Sequence, residues 1–125
     1  MPTVLDVLIV DDSAAIRKIL QRVLRQTDLP VGEVYEAGDG VEALETLRKQ
    51  KVGLVLSDIN MPNMDGLEFL THLRAEPAWQ KLPVVMVSTE GTHAKVLEAV
   101  ERGASGYVRK PFTADQIKEK LVGLL

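Results

Sequence analysis

The chain contains no cysteine, few aromatic residues and no long apolar run, and each absence excludes a class of protein. Without cysteine it forms no disulfides and no thiolate metal sites, which fits the cytoplasm. Aromatic residues make up only 4%, too few for the platforms on which unpaired bases stack. No stretch approaches the roughly 20 apolar residues that span a membrane, and no basic, apolar leader follows Met1. The sequence therefore predicts a cytoplasmic protein that does not enter membranes.

Charge and length narrow the choice further. The net charge is −3 and no basic run is present, which argues against direct binding of nucleic acid. The composition, 46% hydrophobic and 26% charged, is typical of a soluble globular protein. The 125 residues suffice for one domain with its own core. We expect a single domain over residues 1–125, and a monomer.

Five short apolar runs alternate with five segments of helical periodicity. The predicted strands cover residues 4–10, 34–37, 54–57, 83–87 and 106–109, with a loop over 27–32. Side chains typical of helix starts occur at Ser13, Asp39, Asp65 and Thr113, and the fourth helix is expected to start at Thr92 or His93. This alternation predicts an α/β fold, a doubly wound five-stranded parallel sheet with five helices and right-handed crossovers.

Polar side chains follow four of the predicted strands. Asp11 and Asp12 end the first strand, Asp58 the third, Ser88 the fourth and Lys110 the fifth. In an open parallel sheet, ligands bind outside the carboxyl ends of the strands. In the flavodoxin-like strand order 2-1-3-4-5 these four strands are neighbours, so we expect their polar residues to converge on one crevice.

Such a cluster needs a cation. Three carboxylates within a few ångströms repel by several kcal/mol at an effective dielectric of about 20, and one lysine cannot neutralise them. Oxygen ligands favour Mg²⁺, Mn²⁺ or Ca²⁺ over zinc, and Mg²⁺ with few protein ligands commonly takes phosphate oxygens. Ser88 and Lys110 are suited to hydrogen-bond and pair with a phosphoryl group. Asp58, ionised at neutral pH, is the candidate nucleophile of a Mg²⁺-dependent phosphoryl-transfer site.

A resemblance to a known family points the same way. Five motifs occur in order: Asp11-Asp12, residues 58–66 (DINMPNMDG), Ser88, residues 103–107 (GASGY) and residues 110–113 (KPFT). Together they resemble the receiver domain of bacterial two-component response regulators, most closely its single-domain chemotaxis members. The resemblance runs from Val4 to Leu125.

The resemblance implies roles for the acidic residues. Asp58 would accept a phosphoryl group from a phosphohistidine on a sensor histidine kinase. Asp12, Asp58 and the backbone carbonyl of Asn60 would bind Mg²⁺ directly, and Asp11 would act mainly through water. The family catalyses its own phosphorylation and dephosphorylation but acts chiefly through partner proteins. Asn60 and Glu90, each two residues beyond a site residue, would tune the dephosphorylation rate.

The resemblance also implies a switch. Ser88 would hydrogen-bond the phosphoryl group and Lys110 would pair with it. Tyr107 would swing inward as Ser88 moves, changing the face of helix four, strand five and helix five, where an output protein binds. The Lys110-Pro111 peptide would be cis, against a base rate of about 5% for X–Pro bonds. Ile59, Thr92 and His93 depart from the enteric chemotaxis pattern, so the output partner stays open.

Five alternatives compete with this interpretation. The chain could be a receiver cut from a larger regulator, or a phosphorelay intermediate. A small phosphatase of the haloacid-dehalogenase type also uses an Asp nucleophile and Mg²⁺, but its second acid would fall where Asn60 stands. Residues 38–43 match the dinucleotide pattern G-x-G-x-x-A, although Asp39 would face the pyrophosphate. In a flavin mononucleotide carrier, Asp11 and Asp12 would repel the phosphate.

Two helix faces are also predicted from the pattern. Val96, Leu97 and Val100 of the fourth helix are expected to face the core. The basic side chains of the first helix are expected to form a solvated face, on the helix where kinases dock in the resembling family. These basic residues are Arg17, Lys18, Arg22 and Arg25.

Overall fold

The computed structural model describes residues 4–89 and 91–124, and over this part of the chain five strands alternate with five α-helices. The strands are β1 (Leu5–Val10), β2 (Val31–Ala37), β3 (Leu54–Ser57), β4 (Val84–Ser88) and β5 (Gly106–Arg109). The helices are α1 (Ala14–Gln26), α2 (Gly40–Lys49), α3 (Gly66–Ala75), α4 (His93–Glu101) and α5 (Ala114–Val122), with a 3₁₀ turn at Pro77–Trp79. The predicted α/β alternation is confirmed.

The strands form one parallel sheet in the order β2-β1-β3-β4-β5, which is the predicted flavodoxin-like order. Val10 pairs with Ala37 on one side and with Ser57 on the other, and Ser88 pairs with Arg109. This register brings the carboxyl ends of the strands to one edge. The polar residues that follow them therefore meet there.

Helices cover both faces of the sheet because successive strand side chains point to opposite faces. On one face, Val7 and Ile9 pack with buried residues of α1 and α5; on the other, Leu8 and Val10 pack with α2, α3 and α4. All four of these side chains are fully buried. Within the described ranges, no helix is long and apolar enough to cross a membrane.

The predicted helix starts are confirmed by side-chain caps. Each cap side chain accepts a hydrogen bond from the backbone N–H three residues on, which satisfies one of the free donors of the first turn. Thr113 and Gln116 form a full capping box, with bonds of 2.8 and 3.1 Å. The other caps are Ser13, Asp39, Asp65 and Thr92.

The second strand is longer than predicted. It begins at Val31 rather than at residue 34, and Val31 pairs with Leu5. The guanidinium of Arg25 donates to the carbonyls of Val31 and Gly32, both at 2.9 Å. Residues 31 and 32, predicted as loop, thus join the sheet, and a helix side chain binds their backbone, a contact that periodicity does not reveal. Arg25 nevertheless remains exposed, as predicted for the solvated face of α1.

The predicted orientation of α4 is wrong for two of three residues. Leu97 is 46% exposed and Val100 is 55% exposed, while Ala99 is fully buried and Val96 is half-buried. Arg102, just beyond the helix, donates to the hydroxyl of Thr71 on α3 at 2.9 Å. The side of α4 that packs on the core is therefore the one that carries Ala99, and the two larger apolar side chains lie outside.

Candidate active site

Three carboxylates meet at the carboxyl edge of the sheet. Asp11, Asp12 and Asp58 each offer an oxygen, and these atoms all lie within 4.8 Å of one another. The pairing of β1 with β3 produces this approach, and the N–H of Asp58 donates to the carbonyl of Val10 at 2.9 Å. The convergence predicted from the strand ends is therefore present.

Asp58 is almost enclosed, with 8% of its surface exposed. One carboxylate oxygen, Oδ1, accepts from the N–H of Ile59 at 2.8 Å, and Oδ2 lies 3.5 Å from Nζ of Lys110. Burial raises the pKa of Asp58, and the negative charge of Asp11 raises it further, although Lys110, the Ile59 N–H and Ser88 oppose the shift. Ionised Asp58 is therefore destabilised in the folded protein, and a further cation would relieve it.

Asp11 and Asp12 are neighbours with opposite surroundings. Asp11 is 1% exposed, whereas Asp12 is exposed. Both carboxylate oxygens of Asp11 accept from the protein, Oδ1 from the N–H of Ser13 at 2.9 Å and Oδ2 from Lys110 at 2.7 Å. Asp12 consequently presents the more available carboxylate to an incoming ligand.

Lys110 is the cation that joins the acids. It follows β5, its N–H donates to the carbonyl of Ser88 at 2.9 Å, and its side chain is 13% exposed. Its ammonium group contacts both Asp11 and Asp58. The Lys110-Pro111 peptide is cis, as the resemblance implied.

The remaining predicted site residues occupy different surroundings. Ser88 is fully buried at the end of β4, and its side chain hydrogen-bonds the Asp58 carboxylate and so lowers that group's pKa. Tyr107 lies in β5, pairs with Met86 of β4 and is half-buried against the core. Asn60 is exposed in the loop beyond β3. Glu90 lies outside the described residues.

The loop that carries Asn60 is attached to the start of α2. Asn63, whose φ is 65°, donates from Nδ2 to Asp39 Oδ2 at 2.8 Å. This bond makes the largest contribution to lowering the pKa of Asp39 below its usual value, and the hydrogen bond from the Glu42 N–H lowers it further. The N–H of Gly40 also donates to the carbonyl of Met64 at 3.1 Å. Asp39 and Gly40 therefore anchor the loop after Asp58, which gives these two residues a structural role without a dinucleotide.

Gly66 is a site-supporting residue whose role the sequence did not reveal. Its N–H donates to the carbonyl of Ile59 at 2.7 Å, and a Cβ at this position would overlap the carbonyl oxygen of Asp58. Only glycine allows α3 to begin this close to the phosphoacceptor candidate. The available signal was the Asp65-Gly66 pair, which indicates a turn but not the reason for it.

The donor set fits a hard divalent cation. The cluster offers only carboxylate oxygens, and one ammonium group faces three acids. Hard cations such as Mg²⁺ and Mn²⁺ prefer such oxygens, whereas zinc sites are built mainly from nitrogen and sulfur. The buried, destabilised carboxylate of Asp58 and the exposed carboxylate of Asp12 would both gain from the added positive charge.

Comparison with known families identifies the arrangement. Residues 7–122 match the family model described as the response regulator receiver domain. Among curated proteins, the chain is 42% identical to chemotaxis protein CheY-3 of Vibrio cholerae, over 92% of this chain and 87% of that protein. It is 43% identical to the chemotaxis protein CheY homolog of Campylobacter jejuni, over 94% of this chain and 90% of the relative.

Solved structures of response regulators have the same fold as this chain. The structure of CheY4 of Vibrio cholerae, crystallised at low pH, superposes with a TM-score of 0.88 at 34% identity, covering 98% of this chain and all of the other. A response regulator of Chloroflexus aurantiacus, described as putative, superposes with a TM-score of 0.89 at 28% identity over 98% of both chains.

Proposed function

Because the chain belongs to the response regulator receiver family, we propose that Asp58 is the phosphoacceptor of a phosphorylation-dependent signalling switch, supplied by a sensor histidine kinase. The observation that carries this proposal is the position of Asp58. It is nearly buried, has two further acids within 4.8 Å, and lies 3.5 Å from Lys110. A carboxylate so placed is a nucleophile surrounded by groups that suit a phosphoryl dianion.

Mg²⁺ is the proposed cofactor, with Mn²⁺ as an acceptable substitute. Its protein ligands would be Asp12, Asp58 and the backbone carbonyl of Asn60, with Asp11 acting through water. The two protein donors on the Asp11 carboxylate support this division, because they already occupy both of its oxygens. When bound, the cation would offset the negative charge of the phosphoryl oxygens and of the attacking carboxylate.

The residues of the chain account for the transfer itself. A carboxylate oxygen of Asp58 forms a bond to phosphorus as the bond from phosphorus to the imidazole nitrogen of the donor breaks. The imidazole nitrogen leaves with the electron pair and remains on the kinase. Lys110 pairs with the phosphoryl oxygens and the Ser88 hydroxyl donates to one of them. No base is required, because the carboxylate attacks without losing a proton.

The proposed step that resets the switch is hydrolysis of the aspartyl phosphate. Water attacks phosphorus, the Asp58 carboxylate leaves with its oxygen, and inorganic phosphate is released. Asn60, which is exposed beyond β3, would tune this rate together with Glu90. Both positions follow a site residue by two, Asn60 after Asp58 and Glu90 after Ser88.

The switch would act on the face formed by α4, β5 and α5. As Ser88 moves toward the phosphoryl group, Tyr107 would fill the space and alter this face. Leu97, Val100 and Val122, which are 46%, 55% and 55% exposed, supply apolar surface there for an output protein. The relatives named as chemotaxis proteins favour an output in chemotaxis or motility. The main alternatives remain a receiver within a larger regulator and a phosphorelay intermediate.

The kinase would dock beside the site. Ile16 and Ile19 on α1 and Phe112 beyond β5 line an apolar groove of about 340 Å³ that reaches Lys110. Ile19 is 45% exposed, so the groove is open to a partner. A kinase helix lying there would bring its phosphohistidine toward Asp58.

The deciding experiment is phosphorylation with acetyl phosphate and Mg²⁺ followed by intact mass measurement. We expect the wild-type protein to gain about 80 Da, the mass of one phosphoryl group, and Asp58→Asn to gain nothing. Asp65→Asn is the matched control, because it changes a nearby acid that caps α3 and lies outside the acidic cluster. An adduct that persists in Asp58→Asn would overturn the assignment. Multiple turnovers of p-nitrophenyl phosphate that are lost in Asp58→Asn would instead favour the phosphatase alternative, which also uses an Asp nucleophile.

A further inference from the structure

We infer that Arg17 is a positioning residue for the acids at the end of β1, and that it sets the affinity of the site for Mg²⁺. This inference rests on the proposed function. Nη1 of Arg17 donates to the backbone carbonyl of Asp11 at 2.7 Å, and Nε donates to Oε1 of Glu36 at 2.9 Å. The side chains of Arg17 and Glu36 are 20% and 31% exposed, so the pair is partly shielded from water.

The contact with Asp11 completes the hydrogen bonding of that residue. The N–H of Asp11 donates to the carbonyl of Ala37 at 3.0 Å, and its two carboxylate oxygens accept from Ser13 and Lys110. The carbonyl oxygen is the remaining polar group, and Arg17 is its donor. Each polar group of Asp11 is thus held from a different direction.

The carbonyl is the group that controls Asp12. The carbonyl of Asp11 and the N–H of Asp12 belong to one planar peptide unit, so a donor on the oxygen fixes the orientation of the plane. Asp12 is exposed, and no hydrogen-bond donor to its carboxylate is found among the described residues. Its direction therefore depends on its backbone, which Arg17 orients.

Glu36 holds the guanidinium in place from the neighbouring strand. It lies in β2 opposite Ile9 of β1, and its contact with Arg17 spans from the sheet to α1. A guanidinium can donate to two acceptors at once from a rigid plane, which a lysine ammonium on a flexible chain does not reproduce. Arg17 thereby connects β2, α1 and the turn that carries the acids.

Electrostatics and positioning predict opposite effects of removing Arg17. Loss of a positive charge near an acidic site should by itself strengthen the binding of a divalent cation. Loss of the hydrogen bond to the Asp11 carbonyl should weaken binding, because Asp12 would sample directions in which its carboxylate does not reach the cation. The sign of the change therefore separates the two roles.

The test is the dissociation constant for Mg²⁺, measured by calorimetry on the whole chain without any phosphodonor. Removing partners that orient metal ligands typically costs 10–100-fold in affinity, and we expect Arg17→Gln to bind Mg²⁺ on the order of 10-fold more weakly than wild type. Lys18→Gln is the matched control, since it removes an exposed positive charge from the next position of α1. We expect its affinity to equal or slightly exceed that of wild type.

Three further variants sharpen the result. Arg17→Lys retains the charge and should still bind more weakly than wild type, and it stands in if Arg17→Gln does not fold. Glu36→Gln should weaken binding by less, because the bond to the Asp11 carbonyl remains. In the Arg17→Gln background, Glu36→Gln should add nothing, since Glu36 acts through Arg17.

The possible outcomes are distinct. The inference would be overturned if Arg17→Gln and Arg17→Lys bound Mg²⁺ as tightly as Lys18→Gln or more tightly. This comparison requires variants that circular dichroism shows to be folded. Wild-type protein that binds no Mg²⁺ would instead overturn the proposed function. The positioning role would be supported if the Arg17 variants also bound Mn²⁺ more weakly than wild type, as measured by electron paramagnetic resonance.

Discussion

The helices α3 and α4 follow the neighbouring strands β3 and β4, but they pack very differently. α3 starts against the backbone of Asp58, and Leu67, Phe69, Leu70 and Leu73 are buried along its length. α4 buries Ala99 alone among its described residues and leaves Leu97 and Val100 exposed. α3 is therefore part of the hydrophobic core, whereas α4 packs on the core mainly through Ala99.

This difference matches what the two regions are proposed to do. A phosphoacceptor needs a carboxylate held in one geometry, and deep packing of α3 provides that support. A responsive face must change at low energetic cost, and elements with few buried apolar contacts open most easily. The contrast predicts that the site is rigid and that the response is confined to the side of α4.

The largest expected effect tests the packing of the two helices directly. Leu70→Ala removes a fully buried side chain from α3 and should lower the free energy of unfolding by about 2–5 kcal/mol. Leu97→Ala on α4 removes a side chain that is 46% exposed and should cost less than about 1 kcal/mol. Urea denaturation monitored by circular dichroism measures both. Equal losses would mean that α4 is as firmly packed as α3.

The next effect concerns the cation. Mg²⁺ at a concentration of 100 times its dissociation constant should raise the free energy of unfolding by about 2.7 kcal/mol, because it binds the folded state. Asp12→Asn removes an exposed ligand and should abolish most of this gain without disturbing the core. Hydrogen exchange should slow more in residues 58–66 than in residues 93–101. Slowing centred on α4 would contradict a rigid site with a separate response face.

The smallest expected effect is on thermal stability and comes from the charge of Asp58. Burial raises its pKa above that of the unfolded chain, so the folded protein holds this proton more tightly. The resulting stability is complete below the unfolded pKa of about 3.9 and is lost as the pH rises through the folded pKa. At neutral pH without Mg²⁺, Asp58→Asn should therefore raise the thermal midpoint. The gain should vanish below about pH 4; a gain that is independent of pH would have another cause.

Much of the site followed from strand ends and caps. Asp58, Lys110 and the Asp11-Asp12 pair were predicted to converge because parallel strands place their carboxyl ends at one edge. Helix starts at Ser13 and elsewhere were predicted because a short polar side chain satisfies its own backbone locally. Both inferences use interactions that are close in sequence or follow from the strand alternation.

Other features depended on distant contacts. Arg17 was predicted to be solvated, yet it binds the backbone of Asp11 and a glutamate on β2. Leu97 was predicted to face inward, but it is 46% exposed, and Ala99 is the residue of α4 that packs on the core. Helical periodicity places such residues on a face and does not say which partner approaches that face.

The sequence alone determined the order of strands and helices, the caps and the position of the candidate phosphoacceptor. Those properties follow from local periodicity, from side chains that bond their own backbone, and from a charge at the end of an apolar run. The tertiary structure decided the rest: which acid is enclosed and which is exposed, why Gly66 must be glycine, and where Arg17 points. These features depend on the close approach of segments that are far apart in the chain. Hydrogen bonds between such segments produce no periodic pattern in the sequence from which they could be predicted.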